Sequence, residues 1–189
     1  MSIVLASSSP RRQQLLKQVG CDFSIITSEV SEDNELNMPP HELAVYHARA
    51  KAVSVAALAG SSDVVIGADT IVVVDGRVFG KPNDGVTARR MLAALSGRSH
   101  RVITGLAVVG NGQVWTDFAE TEVTIQELTA AQIDRYVATG EPLDKAGAYA
   151  IQGIGALFVE QIKGCYTNVV GLPLSNLARL LAKAGIELL

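Results

Sequence analysis

Four clusters in this sequence hold side chains that could bind or cleave a phosphate anhydride. Ser7-Ser8-Ser9-Pro10-Arg11-Arg12 follows a short apolar run and opens a helical pattern. A helix start offers unpaired N–H groups and a positive dipole end, and two guanidinium groups can fork onto phosphate oxygens. The same string equally describes an ordinary capped helix with solvated arginines, because serine before proline commonly starts helices. Glu32 and Asp69 form a second cluster, one in an acidic loop and one where an apolar strand ends at the sheet rim, a place where α/β proteins bind ligands. By local sequence alone Asp69 could also be a turn residue and Glu32 a solvated one. Lys51 and Lys81 can each neutralise phosphate as a point charge, although a lone lysine is ordinarily a surface group. Lys81 has the more constrained backbone, in Gly80-Lys81-Pro82. Residues 141–153 alternate small and polar residues over a length unusual for a connector. Such loops line clefts, but a plain long turn would leave Asp144 and Lys145 simply exposed.

The rest of the composition narrows the alternatives. A chain of 189 residues, 48% apolar, suits one domain over residues 1–189 or two lobes sharing a cleft. A formal charge of −3 gives no general attraction to a polyanion, which argues against a nucleic acid polymer and requires any phosphate site to be concentrated. His41, His47 and His100 lack metal-binding spacing, and Cys21 and Cys165 read as reduced thiols. No apolar run reaches the roughly 20 residues that span a bilayer, and no basic leader precedes the apolar start. We therefore expect a cytoplasmic protein without membrane association.

These groups need a scaffold to position them. Residues 3–6 read as a short buried strand, Ser9 as an N-cap with Pro10 in the first helical position, and Gly20 as the helix stop. Residues 23–26 read as a second strand and residues 29–40 as a loop. An alanine-rich helix is expected over 41–58, with Leu43, Tyr46, Ala50, Val53 and Ala57 along one face and Lys51 apart from most of them. Residues 64–68 form a buried strand ending at Asp69-Thr70, which resumes over 71–74 and turns at Asp75-Gly76 into a hairpin. Asp84 caps a helix to Leu95, and two β-rich runs, 102–109 and 113–125, meet at the hairpin signal Asn111-Gly112. A helix over 130–138, an irregular stretch, strands at 157–162 and 166–170 and a final helix from Leu174 complete the chain. Hairpins among crossover units give an α/β fold with a mixed sheet flanked by helices.

Taken together, Leu5-Ala6-Ser7-Ser8-Ser9-Pro10-Arg11-Arg12, Gly67-Ala68-Asp69-Thr70, Gly80-Lys81-Pro82 and Asp144-Lys145-Ala146-Gly147-Ala148-Tyr149 resemble the ordered signatures of the Maf family, nearly end to end. Leu95-Ser96-Gly97 and Val170-Gly171-Leu172-Pro173 extend the match. The resemblance implies an elongated mixed sheet in two lobes around a cleft, similar to the inosine triphosphatase fold. It implies hydrolysis of a nucleoside triphosphate between its α and β phosphates. By that resemblance Asp69 is the catalytic carboxylate, Glu32, Lys51 and Lys81 are further active-site residues, and Ser7, Arg11 and Arg12 bind phosphate. Arg12, Thr70 and Gln152 match specificity positions of the branch acting on dTTP and UTP, whereas sister branches act on methylated guanine nucleotides. A homodimer is compatible with the resemblance, although no pattern in the chain marks an interface.

A triphosphate is highly charged, so a divalent cation, Mg2+ or Mn2+, held by Glu32 and Asp69 is expected to share the neutralisation with the cations. An amide such as Gln152 can meet both a carbonyl acceptor and the N3–H donor of thymine or uracil. Two readings remain beside this one: a nucleotide-binding regulator of cell division or septation without significant turnover, and a pyrophosphatase for modified purine nucleotides.

Overall fold

A computed structural model describes residues 2–188. Among them the apolar and β-branched runs form seven strands: β1 (Ile3–Leu5), β2 (Ser24–Ile25), β3 (Val64–Val74), β4 (Arg77–Phe79), β5 (Ser99–Gly110), β6 (Gln113–Ile125) and β7 (Val159–Lys163). The helices are α1 (Pro10–Gln18), α2 (Pro40–Ala56), α3 (Gly85–Leu95), α4 (Ala130–Ala138), α5 (Tyr166–Val170) and α6 (Leu174–Lys183). All seven strands join one sheet in the order β2-β1-β3-β5-β6-β7, with β4 beside β3. β1 runs parallel to β2 and β3, and every other pairing is antiparallel. This is the mixed sheet with flanking helices that the sequence predicts.

One departure bears directly on function. Asp69 does not end a strand; it lies in the middle of the continuous 11-residue β3. β5 pairs with β3 along its length, while the opposite edge is shared by β1 at Val64, Val65 and Ile66 and by β4 at Val72, Val73 and Val74. Residues 67–71 have no strand partner on that edge. The rim expected beside Asp69 therefore exists, but it is made by a neighbouring strand stopping short.

Side-chain alternation carries the same break onto both faces of the sheet. On one face Ile66 and Ala68 join a core with α1 and α6, whereas Val72 and Val74 join a second core with α3 and α4. On the other face Val65 and Val73 fall in separate clusters under α2. Asp69 and Thr70 thus sit where the apolar packing divides, one on each face.

The helix over α2 packs against the sheet on a face other than the expected one. Ala44, Ala48 and Ala52, spaced by four, are fully buried, while Tyr46 and Val53 are about half exposed. The reason is the close approach of α2 to the sheet: a Cβ on Gly67 would lie 2.2 Å from the Ala48 carbonyl oxygen, and one on Gly105 2.3 Å from the Ala44 backbone. Only small residues fit that seam, so the larger apolar side chains are turned outward. Lys51, expected apart from the apolar stripe, lies on the buried side.

Several local expectations also change. Residues 166–170 form helix α5, because the fully buried Asn168 side chain donates to the Val102 carbonyl at 3.0 Å and to Thr121 Oγ1 at 2.9 Å. Those contacts outweigh the strand preference of Thr167, Val169 and Val170. Residues 153–158 wind as a 3₁₀ helix from Gly153, whose φ is +67°, so the following strand begins only at Val159. Residues 23–26 keep only a two-residue strand. Ser9 occupies the N-cap position without a side-chain hydrogen bond to the first turn, whereas Asp84 accepts from the Thr87 N–H at 2.7 Å as expected.

Candidate active site

Asp69 is 3% exposed and points toward α2. The tight α2 seam brings Lys51 to it: Lys51 Nζ donates to Asp69 Oδ1 at 2.6 Å and also to Glu32 Oε1. One buried ammonium thus links the carboxylate of β3 to that of the acidic loop. Asp69 Oδ2 is buried without a hydrogen-bond partner among the described residues. Burial pushes the Glu32 carboxyl up, but the charge and hydrogen bond of Lys51, helped by Lys81 and Arg12, bring it below its ordinary value.

Where β1 ends, Ser7, Ser8 and Ser9 lead into α1, and Arg12 turns back under the sheet. Its Nε donates to the Gly171 carbonyl at 2.8 Å, Nη1 to Ser7 Oγ at 3.1 Å and Nη2 to Thr70 Oγ1 at 3.1 Å. Thr70 Oγ1 in turn lies 2.9 Å from Thr104 Oγ1 on β5. Burial lowers the pKa of Arg12, with Asp69 and Glu32 opposing that effect. Arg12 therefore ties α1, β3 and the end of α5 together, a task its isolated sequence position does not disclose.

Arg11 faces the opposite wall, where Nη1 meets Asp144 Oδ2 at 3.0 Å. Asp144 Oδ1 accepts from Lys145 Nζ at 2.6 Å, and Lys145 also donates to the Glu141 carbonyl at 2.6 Å. Lys81 projects from the end of β4 into the same space, and the neighbouring Gly80 carbonyl accepts from the Gly147 N–H at 3.1 Å. Tyr149 closes the floor, its hydroxyl 2.7 Å from Nε2 of the buried His100.

These groups surround a cleft of about 310 Å3. Ser7, Arg11, Arg12, Glu32, Lys51, Asp69, Thr70 and Lys81 all line it. Gln152 does not; its neighbour Ile151 does. The segment is fixed by Glu141, whose carboxylate accepts from the Ile154 and Gly155 N–H groups at 3.1 and 3.0 Å and from the Tyr136 hydroxyl at 2.9 Å. Lys145 and Tyr149 also line the cleft without having been expected as site residues; their signal was the motif running from Asp144 to Tyr149. The cleft wall carries five cations, Arg11, Arg12, Lys51, Lys81 and Lys145, against three carboxylates, Glu32, Asp69 and Asp144. A chain of net charge −3 thus concentrates positive charge in one place.

Fold and cleft together define an α/β protein with a cationic site where a parallel strand gives way to a helix, suited to a compact polyanion. The chain belongs to the Maf family: the family model described as Maf-like protein matches residues 2–184. It is 53% identical over 188 residues to the dTTP/UTP pyrophosphatase of Moorella thermoacetica, covering 98% of this chain and 96% of that protein. It is 48% identical over 188 residues to the dTTP/UTP pyrophosphatase of Desulforamulus reducens, covering 98% of each. A solved structure, the nucleoside-triphosphatase or dITP/XTP pyrophosphatase of Mycobacterium abscessus, aligns with a TM-score of 0.39 and 18% identity over 66% of this chain and 73% of that one. Among the described residues no helix is long and apolar enough to cross a membrane.

Proposed function

We propose that this chain is a nucleoside triphosphate pyrophosphatase that hydrolyses dTTP and UTP to the monophosphate and pyrophosphate, working as one domain on free nucleotides in the cytoplasm. The observation that carries the reading is Asp69: a buried carboxylate with one oxygen held by Lys51 and the other unpaired, inside a cleft whose cations outnumber its carboxylates. The dTTP/UTP pyrophosphatases at 48% and 53% identity supply the base preference.

In this mechanism Arg11, Lys81 and Lys145 hold the phosphate chain from the two walls, and Arg12 keeps Ser7 and Thr70 in place beneath it. The unpaired Asp69 Oδ2 accepts a hydrogen bond from the attacking water and takes its proton. The water oxygen bonds to the α phosphorus, the bond from that phosphorus to the oxygen bridging to the β phosphate breaks, and pyrophosphate leaves. Lys51, bonded to Oδ1, keeps the Asp69 carboxylate aimed.

Glu32 and Asp69 are the residues that would hold a divalent cation. No group of three or more His, Cys, Asp or Glu side chains stands together among the described residues. Two carboxylates with a free oxygen nevertheless suit Mg2+ or Mn2+, which take their remaining ligands from phosphates and water. When bound, the ion neutralises phosphate charge and polarises the phosphorus.

The test is a panel of all common and methylated nucleoside triphosphates, scored for monophosphate and pyrophosphate with and without a chelator. dTTP and UTP should be cleaved fastest, to pyrophosphate rather than inorganic phosphate, and chelation should stop both. Equal cleavage of every base, or single-turnover binding without product, refutes the reading.

A further inference from the structure

Asp144 stands among the cations that are proposed to hold the phosphate chain, yet it carries the charge of the substrate rather than its complement. Its two carboxylate oxygens are divided between the walls of the cleft, Oδ2 on Arg11 of α1 and Oδ1 on Lys145. That is how a phosphate group would engage the same two side chains. The Asp144 side chain is 61% exposed, so solvent screens these pairs and they are weak. Lys145 keeps a second acceptor, the Glu141 carbonyl, and does not depend on Asp144 for its position. Burial of the Asp144 carboxyl opposes ionisation, but the hydrogen bonds and charges of Lys145 and Arg11 outweigh it and hold the group below its ordinary pKa, so it stays charged at neutral pH.

We propose that Asp144 is a built-in competitor for the phosphate cradle, a specificity-determining carboxylate that a ligand must displace from Arg11 and Lys145. This rests on the pyrophosphatase reading above. A triphosphate has enough charge on successive groups to displace one exposed carboxylate and still engage Lys81 and the Asp69 region. A monophosphate, or a departing pyrophosphate, has fewer contacts with which to resist the return of Asp144. The residue therefore raises the charge that a ligand needs, and it helps release products.

Calorimetric titration of inorganic pyrophosphate into the full chain tests this directly, with Asp144→Asn and Asp144→Ala as the variants. Both should bind pyrophosphate about fivefold more tightly than the parent, the size expected for loss of weak exposed pairs. In steady state both should lower KM for dTTP and lower the inhibition constant of pyrophosphate, with kcat reduced by slower release. A residue that only braces the loop would give weaker pyrophosphate binding and a higher KM. Unchanged or weaker binding in both variants, or no pyrophosphate binding by the parent, overturns the proposal. Failure of the parent to hydrolyse dTTP while pyrophosphate binding still tightens in the variants would sink the enzymatic reading and leave the role of Asp144 standing.

Discussion

Asp69 and His100 illustrate how burial makes a single side chain consequential. Asp69→Asn keeps the shape of the side chain and an oxygen for Lys51, but removes the acceptor offered to water and the negative charge beside that ammonium. We expect dTTP turnover to fall by about 10²–10⁴-fold, with little change in the melting curve. Near-normal hydrolysis by this variant would take Asp69 out of the mechanism. His100 concerns stability instead. Burial lowers its imidazole from the ordinary 6.5 to about 4. The unfolded chain binds a proton near 6.5 that the folded chain refuses until about 4, so stability falls as pH drops through that window, by roughly 3 kcal/mol in all. His100→Asn should flatten the decline in melting temperature between about pH 7 and about pH 5, where ordinary carboxylates titrate little. An unchanged slope would show that another group is responsible.

At the scale of elements, the seam between α2 and the sheet is the structural basis of the site. Gly105→Ala would press a methyl group against the Ala44 backbone, lift α2 and carry Lys51 away from Asp69. Overpacking of this kind costs about 1–3 kcal/mol, or about 2–12 °C of melting temperature in a chain this size, and here turnover should fall as well. Thr129→Ala provides the contrast, because it breaks the capping box of α4 far from the cleft. It should cost about 1 kcal/mol and leave kcat unchanged. If Gly105→Ala were destabilised yet fully active, the seam would not be positioning Lys51. The sequence disclosed this helix but not its packing side. Tyr46 and Val53 look like core residues by type, and only the proximity of Gly67 and Gly105 reveals that alanines must face inward. The same limit applies to α5, where β-branched residues spell a strand until the long-range bonds of Asn168 are known. Hairpins, by contrast, are local, and Asn111-Gly112 was legible from two residues. Eight of the nine expected site residues line one cleft, but only Ser7, Arg11, Arg12 and Lys81 could be read from a strand end; Lys51 sits within α2 and Asp69 and Thr70 within β3, where the seam joins them. Gln152 does not line it, since its segment is set by Glu141, Ile154 and Gly155 rather than by its own neighbours.

Across the whole molecule, a net charge of −3 surrounds a cleft of five cations and three carboxylates. Attraction of a triphosphate is thus local and open to screening. Raising ionic strength from about 0.05 M to about 0.5 M should increase KM for dTTP several-fold and change kcat little, since the Debye length shrinks over that range. A KM indifferent to salt would mean that binding depends on contacts other than charge. The hydrogen bond from Gly147 to the Gly80 carbonyl gives this cleft an asymmetry. It bolts the turn bearing Lys81 to the turn preceded by Lys145, so the backbones that carry those two lysines keep a set separation. Arg11, across the mouth, meets that wall through an exposed ion pair. Since α1 is itself held by Arg12 to Gly171, Ser7 and Thr70, the cleft works as a gauge of fixed width whose two walls are bridged by a single exposed carboxylate.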